Sequence, residues 1–159
     1  MLKICAPYDQ STIKEIPWSQ ERDIEQALSK ASELFQNTSC WLKAHQRIKI
    51  LENTVELMKI RKNELIAVAS AEGGKPITDS TVEINRAIQG VKLAVQGITS
   101  SKGAQIPMEL STSSDNRLAF TFKEPIGIVA AISAFNHPVN LIVHQVITAV
   151  AVGCPVIIK

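Results

Sequence analysis

The segment that most constrains the fold is residues 125–158, which contain no Asp, Glu, Lys or Arg. It opens with the apolar run Ile126–Ile132 and passes through a polar turn to Pro138. From there to Val152 it is apolar nearly all round and carries no charge, and Gly153 follows. The run Ile126–Ile132 suits a parallel strand that is covered on both faces of its sheet. Proline is favoured at the first position of a helix, and glycine ends helices. The pattern therefore predicts a buried helix between two parallel strands, the second being Val156–Ile158.

Two polar residues follow the strands of this βαβ unit. Asn136 comes after the first predicted strand, and Lys159 comes directly after the second. In open α/β sheets, ligands bind at the carboxyl ends of the strands. Position alone leaves plainer interpretations open, because Asn136 could be a turn or cap residue and Lys159 a solvated strand end.

Several spaced motifs resemble the aldehyde dehydrogenase superfamily. The stretch PIGIVAAISAFNHPVNL, followed by VAVGCPVIIK, is similar to that family's P-x-G-x-x-x-x-I-x-x-(W/F)-N-x-P segment and the V-x-K strand after it. Upstream, RKNEL at 61–65, EGGKPI at 72–77 and the junction Gly103–Pro107 are also similar to family motifs. The resemblance covers essentially the whole chain. It implies the N-terminal part of a longer NAD- or NADP-dependent enzyme that oxidises an aldehyde to a carboxylic acid.

The resemblance also implies roles for the turn and the strand ends. The amide of Asn136 would donate to the oxyanion that forms when a cysteine thiolate attacks the aldehyde, and a neutral amide suits that task. Lys159 would bind the ribose hydroxyls of NAD or the 2′-phosphate of NADP. The residues expected to line the cofactor channel are Ile132, Ser133, Ala134 and Phe135. The family's catalytic Cys, general-base Glu and glycine-rich turn find no match in the chain, so we expect it to be inactive alone.

Cys154 is predicted to be a small buried hydrophobe, and two of the histidines are predicted to be structural. Cys5, Cys40 and Cys154 form an odd, irregularly spaced set, which argues against a disulfide framework and for a reducing compartment. His137 and His144 lie about two helical turns apart in apolar surroundings. We expect ordinary structural histidines there and no metal site.

Residues 1–104 are predicted to be the helical N-terminal part of a cofactor-binding domain, with amphipathic helices between residues 20 and 100. Ser19 is a candidate N-cap for the first helix. Gly73-Gly74 predicts a helix stop. Ser80 and Glu83 have the spacing of a capping box near the start of the fourth helix.

Residues 105–124 are predicted to form a β-ribbon, with strands at 106–110 and 118–122 on either side of a polar turn. The family resemblance implies that this ribbon is an oligomerisation arm that pairs subunits. Residues 125–159 then supply the first βαβ unit of the cofactor-binding domain. The predicted fold class is therefore α/β: N-terminal helices plus the first unit of a doubly wound, Rossmann-like parallel sheet, with a protruding ribbon.

The charge balance excludes some classes of partner. Seventeen basic and fifteen acidic residues give a net charge of +2, and the basic residues do not cluster, so we predict neither nucleic-acid nor membrane binding. The N-terminal stretch does not match a secretory signal, and a cytoplasmic location is expected. A small-molecule aldehyde is the expected substrate. The alternative is that the chain acts as a non-catalytic subunit-interaction or regulatory fragment.

Overall fold

Helices dominate the structure before residue 101. The computed structural model describes residues 1–159 and contains five α-helices: α1 (Glu21–Gln36), α2 (Ala44–Ile60), α3 (Lys62–Gly73), α4 (Ile77–Ser100) and α5 (Pro138–Val152). A short antiparallel hairpin, which pairs β1 (Leu2–Cys5) with β2 (Thr12–Ile16), precedes them. None of the five helices has both the length and the apolar character that crossing a bilayer requires.

Two predicted helix caps are wrong. The N-cap of α1 is Gln20 rather than Ser19, because the Gln20 backbone N–H donates to the Asp23 carboxylate at 2.9 Å. Ser80 and Glu83 do not cap α4, since that helix already begins at Ile77 and both residues are buried on its inner face. The predicted stop after α3 is confirmed, with Gly73 as its last residue.

The core lies between α2, α3, α4 and α5. Its central side chains, Leu51, Ile84 and Val91, are 2%, 0% and 0% exposed. Helix α4 packs mainly against α5 and α2, and also against α3, so it is the element around which these three helices gather. The buried members of this core are Leu51, Val55, Met58, Ile66, Ile84, Ala87, Ile88, Val91 and Ile147.

The ribbon is present but shorter than predicted. Strand β3 (Gln105–Ile106) pairs antiparallel with β4 (Ala119–Phe120). Two aromatic side chains of the predicted second strand, 118–122, lie on an open face. Phe120 and Phe122 meet edge to face, with ring centroids 5.0 Å apart, and both are exposed. The ribbon therefore offers a small apolar surface that nothing within the chain covers.

The C-terminal segment forms the predicted βαβ unit. Strand β5 (Val129–Ala131) pairs parallel with β6 (Val156–Ile158) in the register Val129 to Val156, and α5 crosses between them. Gly153 ends α5 at φ +88°, a left-handed conformation that glycine adopts without a steric penalty. The first strand, at three residues, is shorter than the predicted run Ile126–Ile132, and it matches the three residues of β6 with which it pairs.

Candidate functional site

The carboxyl ends of β5 and β6 meet, as the βαβ pattern predicted. The Lys159 N–H donates to the Ala131 carbonyl at 2.9 Å, and the Ser133 N–H donates to the Lys159 carbonyl at 3.2 Å. These two bonds extend the parallel ladder past the strands. They place Ser133 and Lys159 side by side, and the Lys159 side chain is exposed there.

The turn between β5 and α5 is fixed through its backbone. The Gln145 side-chain amide donates to the Ile132 carbonyl at 2.9 Å, and the Ser133 hydroxyl donates to the Pro138 carbonyl at 3.1 Å. Its outer side chains point to solvent instead, with Phe135 90% and Ile132 63% exposed. Ala134 is also exposed. This combination of a held backbone and free side chains suits a wall against which a ligand lies.

Asn136 sits at the tip of that turn. Its side chain is exposed and has no hydrogen-bond partner within the chain, whereas its backbone carbonyl accepts a hydrogen bond from the Lys75 ammonium at 3.2 Å. An asparagine that only capped α5 would donate or accept through its side chain locally. The amide is therefore available as a neutral donor to a group outside the chain.

Glu83 performs the capping that Asn136 does not. One of its carboxylate oxygens accepts the N–H groups of Val139 at 2.8 Å and Asn140 at 3.0 Å, in the first turn of α5. These N–H groups have no partner inside the helix, and the helix dipole favours negative charge at this end. Glu83 is 1% exposed, so the whole carboxylate is devoted to internal contacts.

Lys75 completes the arrangement from the loop between α3 and α4. Its ammonium forms an ion pair with the second oxygen of Glu83, and its side chain is only 15% exposed. The Ser70 hydroxyl donates to the Lys75 carbonyl at 2.7 Å and so holds the backbone of that loop. His137 lies at the edge, with its Nδ1 atom 3.7 Å from the Glu83 carboxylate.

The titration of Glu83 reflects these contacts. Burial raises the pKa of its carboxyl, but the hydrogen bond from Lys75 and the N–H groups of Asn140 and Val139 together outweigh burial and hold the pKa below its ordinary value of 4.5. Glu83 is thus an anion at neutral pH. Because a fixed carboxylate already occupies the N-terminus of α5, that helix end does not serve as a phosphate cradle.

Sequence reasoning missed both Lys75 and Glu83. Glu83 matches a local capping box through its spacing from Ser80, and Lys75 directly follows the helix stop at Gly73-Gly74, so neither pattern predicts a role at the turn. The sequence does contain a signal, because Ser80, Glu83, Ala87 and Val91 recur at helical spacing. The structure shows that they lie on one buried face. A charged residue on such a face is almost never fully buried unless it has a partner.

The other sequence candidates lie away from the turn or inside the packing. Cys154 is buried next to Gly153 at the far end of α5, in keeping with the small hydrophobe expected there, while Cys5 is half-buried and Cys40 exposed. A cavity of about 860 Å³, lined in part by Trp41 and Gly153, is also at that far end. Helix α5 has 15 residues, which separates its two ends by about 20 Å. The cavity is therefore distinct from the turn.

Comparison with known proteins identifies the family of the chain. The model of the aldehyde dehydrogenase family matches residues 1–159. Among curated proteins, the chain is 35% identical over 152 residues to a lactaldehyde dehydrogenase of Methanocaldococcus jannaschii. It is 31% identical over 158 residues to a 3-sulfolactaldehyde dehydrogenase of Priestia aryabhattai. These alignments cover 96% and 99% of this chain but 31% and 32% of those proteins, so the chain spans about a third of their length.

Solved structures show the same fold. Aldehyde dehydrogenase 21 from Physcomitrella patens, crystallised with the reaction product succinate, superposes with a TM-score of 0.94 at 30% identity. Glyceraldehyde-3-phosphate dehydrogenase GapN from Methanocaldococcus jannaschii, complexed with NADP, gives 0.86 at 34% identity. Each match covers 99% of this chain and 33% of the solved one. The chain belongs to the aldehyde dehydrogenase family.

Proposed function

We propose that the chain is the N-terminal portion of an NAD- or NADP-dependent aldehyde dehydrogenase, called the whole enzyme below, which oxidises an aldehyde to a carboxylic acid. The observation that carries the proposal is the exposed, unpartnered amide of Asn136 at the carboxyl end of β5. The family match over the full chain and its coverage of about a third of its relatives support it.

Asn136 is the residue of this chain that acts on the reacting atoms. In the proposed mechanism, a cysteine from another part of the whole enzyme attacks the aldehyde carbon, and the carbonyl oxygen gains negative charge. The Asn136 amide donates a hydrogen bond to that oxygen without giving up a proton, which lowers the barrier where charge develops. A bound nicotinamide cofactor would supply the acceptor for the hydride that leaves the former aldehyde carbon, and water would hydrolyse the thioester that remains on the cysteine.

The cofactor channel is proposed to run along the open side of the turn. Ile132, Ser133, Ala134 and Phe135 form its wall, and Lys159 binds the adenosine ribose or its 2′-phosphate. These residues fit a nucleotide because an exposed cation lies beside a strand end whose backbone is fixed by its neighbours. A relative with 34% identity was solved as an NADP complex, which supports the same class of cofactor here.

Small aldehydes are the first substrates to test, since lactaldehyde and 3-sulfolactaldehyde dehydrogenases are among the curated relatives. Residues 105–124 are proposed to join subunits in a homo-oligomer through the exposed apolar face of the ribbon. Residues 1–104 and 125–159 would then form one cofactor-binding domain. A cytoplasmic location remains our expectation.

The decisive experiment replaces Asn136 in the whole enzyme. We expect Asn136→Ala to lower kcat by about 10²–10³, the usual loss for one oxyanion donor, while cofactor affinity changes little. Asn136→Asp should be at least as damaging, because it directs an anion at the developing oxyanion. Asn53→Ala, which changes an exposed asparagine on α2, is the matched control.

Full turnover in Asn136→Ala, measured where the chemical step limits the rate, would refute the role of this residue. Intact-mass measurement of the native protein tests the other alternative. A stable product in cells of the 17.4 kDa that this chain alone weighs would favour a non-catalytic interaction fragment.

A further inference from the structure

Two oppositely charged side chains, the largely buried Lys75 and the fully buried Glu83, hold the turn that carries Asn136. Lys75 donates to the carbonyl of Asn136 itself, and Glu83 accepts the N–H groups that come three and four residues later, at Val139 and Asn140. The two side chains also pair with each other. The backbone is therefore held both at Asn136 and just beyond it.

These contacts are long-range in sequence. Lys75 reaches a residue 61 positions away, and Glu83 reaches residues 56 and 57 positions away. They tie the turn to the α3–α4 loop and to α4, which lies in the helical core. The position of Asn136 therefore depends on the core as well as on its own strand and helix.

The energetics of the Lys75–Glu83 ion pair indicate a role other than stabilising the fold. A buried ion pair often stabilises a fold no better than apolar residues of similar size would, because both charges lose their hydration. Glu83 is 1% exposed, and both of its carboxylate oxygens accept hydrogen bonds, one from the Lys75 ammonium and the other from the start of α5. Fully satisfied polar networks of this kind fix one geometry in a way that apolar packing does not.

We propose that Lys75 and Glu83 are positioning residues that hold the Asn136 backbone so that its amide meets the oxyanion. This inference rests on the function proposed above. Neither residue needs to touch the substrate, since each acts through the turn. A misplacement of about 1 Å in a catalytic group can cost about a hundredfold in rate, so small shifts of the turn should be visible in kcat.

A double-mutant cycle in the whole enzyme tests the proposal. Lys75→Met keeps the aliphatic stem but removes the donor to Asn136, and we expect kcat to fall about tenfold to a hundredfold. The KM for the cofactor should stay within about twofold, because Gln145 and the Pro138 carbonyl, rather than Lys75, hold Ile132 and Ser133 of the channel wall. In the Asn136→Ala background the same change should lower kcat by less than about threefold, because residues that act as a unit are not additive. Lys59→Met, which removes an exposed ion pair with Glu56, is the matched control.

A second variant distinguishes a loss of positioning from a folding defect. Lys75→Arg keeps a cation opposite Glu83 but moves the donor groups. We expect a smaller loss of kcat that also disappears in the Asn136→Ala background. Losses that multiply fully with that of Asn136→Ala, or unchanged kcat in Lys75→Met, would overturn the positioning role. If Asn136→Ala alone left kcat intact, the proposed function itself would fail instead.

Discussion

The Glu83 carboxylate should control how often the first turn of α5 opens. Glu83→Gln preserves the size of the side chain but removes its charge. The amide that replaces the carboxylate has a single oxygen, which cannot serve both the helix N-terminus and the Lys75 ammonium as the two carboxylate oxygens now do. Its N–H₂ group would also face that ammonium, so donor would meet donor.

The size of the effect follows from the contacts. Two charge-assisted hydrogen bonds become neutral ones at best, which costs about 1 kcal/mol each. Removing one charge from a buried pair costs about 3–5 kcal/mol in all, because the remaining charge keeps its desolvation penalty. If about 3 kcal/mol of this cost lowers the free energy of opening the first turn of α5, exchange of the Val139 and Asn140 amide hydrogens should accelerate about a hundredfold.

Hydrogen–deuterium exchange of the whole enzyme, followed by mass spectrometry of peptides spanning residues 136–143, measures this directly. Glu64→Gln provides the control, since it makes the same chemical change in an exposed ion pair with Arg61 and should leave those peptides unaffected. Exchange in Glu83→Gln that matches wild type at residues 139 and 140 would refute the claim that this carboxylate secures the helix start.

Four further outcomes are expected. Lys159→Ala in the whole enzyme should weaken NAD or NADP binding more than it slows turnover at saturating cofactor; equal dissociation constants in titrations would mark Lys159 as a mere strand end. The 159-residue chain alone should show no aldehyde oxidation and should associate, because Phe122 and Phe135 are 78% and 90% exposed; a compact monomer in size-exclusion chromatography with light scattering would contradict the association. Gly103→Ala should disrupt the ribbon and shift the whole enzyme to smaller species in the same assay, since the added Cβ would lie 1.7 Å from the backbone oxygen of Thr121; an unchanged oligomer would argue against the arm. The pKa of Glu83 lies below 4.5, so the stabilisation by its carboxylate is complete above pH 4.5 and is lost as pH falls through the folded-state pKa. The melting temperatures of wild type and Glu83→Gln should therefore converge in acid; a difference that did not change with pH would contradict this linkage.

The βαβ unit could be predicted because its signals are local. An uncharged run, Pro138 at the start of α5 and Gly153 at its end mark the strands and the helix between them. The meeting of the strand ends beside Asn136 and Lys159 follows from parallel topology alone. Parallel topology does not determine which way the side chains of the turn point, because their direction depends on which N–H and carbonyl groups of the turn are hydrogen-bonded.

The network around Asn136 could not be predicted by spacing rules. Ser80 and Glu83 satisfy the capping-box pattern, but the pattern contains no information about an α-helix that starts 55 residues later at Pro138. The length of β5 was overestimated for a related reason. Strand length depends on the partner strand, and apolar residues such as Ile126, which is 91% exposed, remain outside the pairing.

The composition of the core has a consequence for synthesis on the ribosome. Eight of its nine buried side chains lie between Leu51 and Val91, and the ninth is Ile147 on α5. At 5–20 residues per second, roughly 3–11 s pass between translation of Val91 and of Ile147, whereas helices form within microseconds. During that interval α2, α3 and most of α4 have been translated, but α5, which later covers part of the surface of α4, has not. The protein therefore passes through a period of seconds in which chaperones, proteases or neighbouring nascent chains meet its future interior.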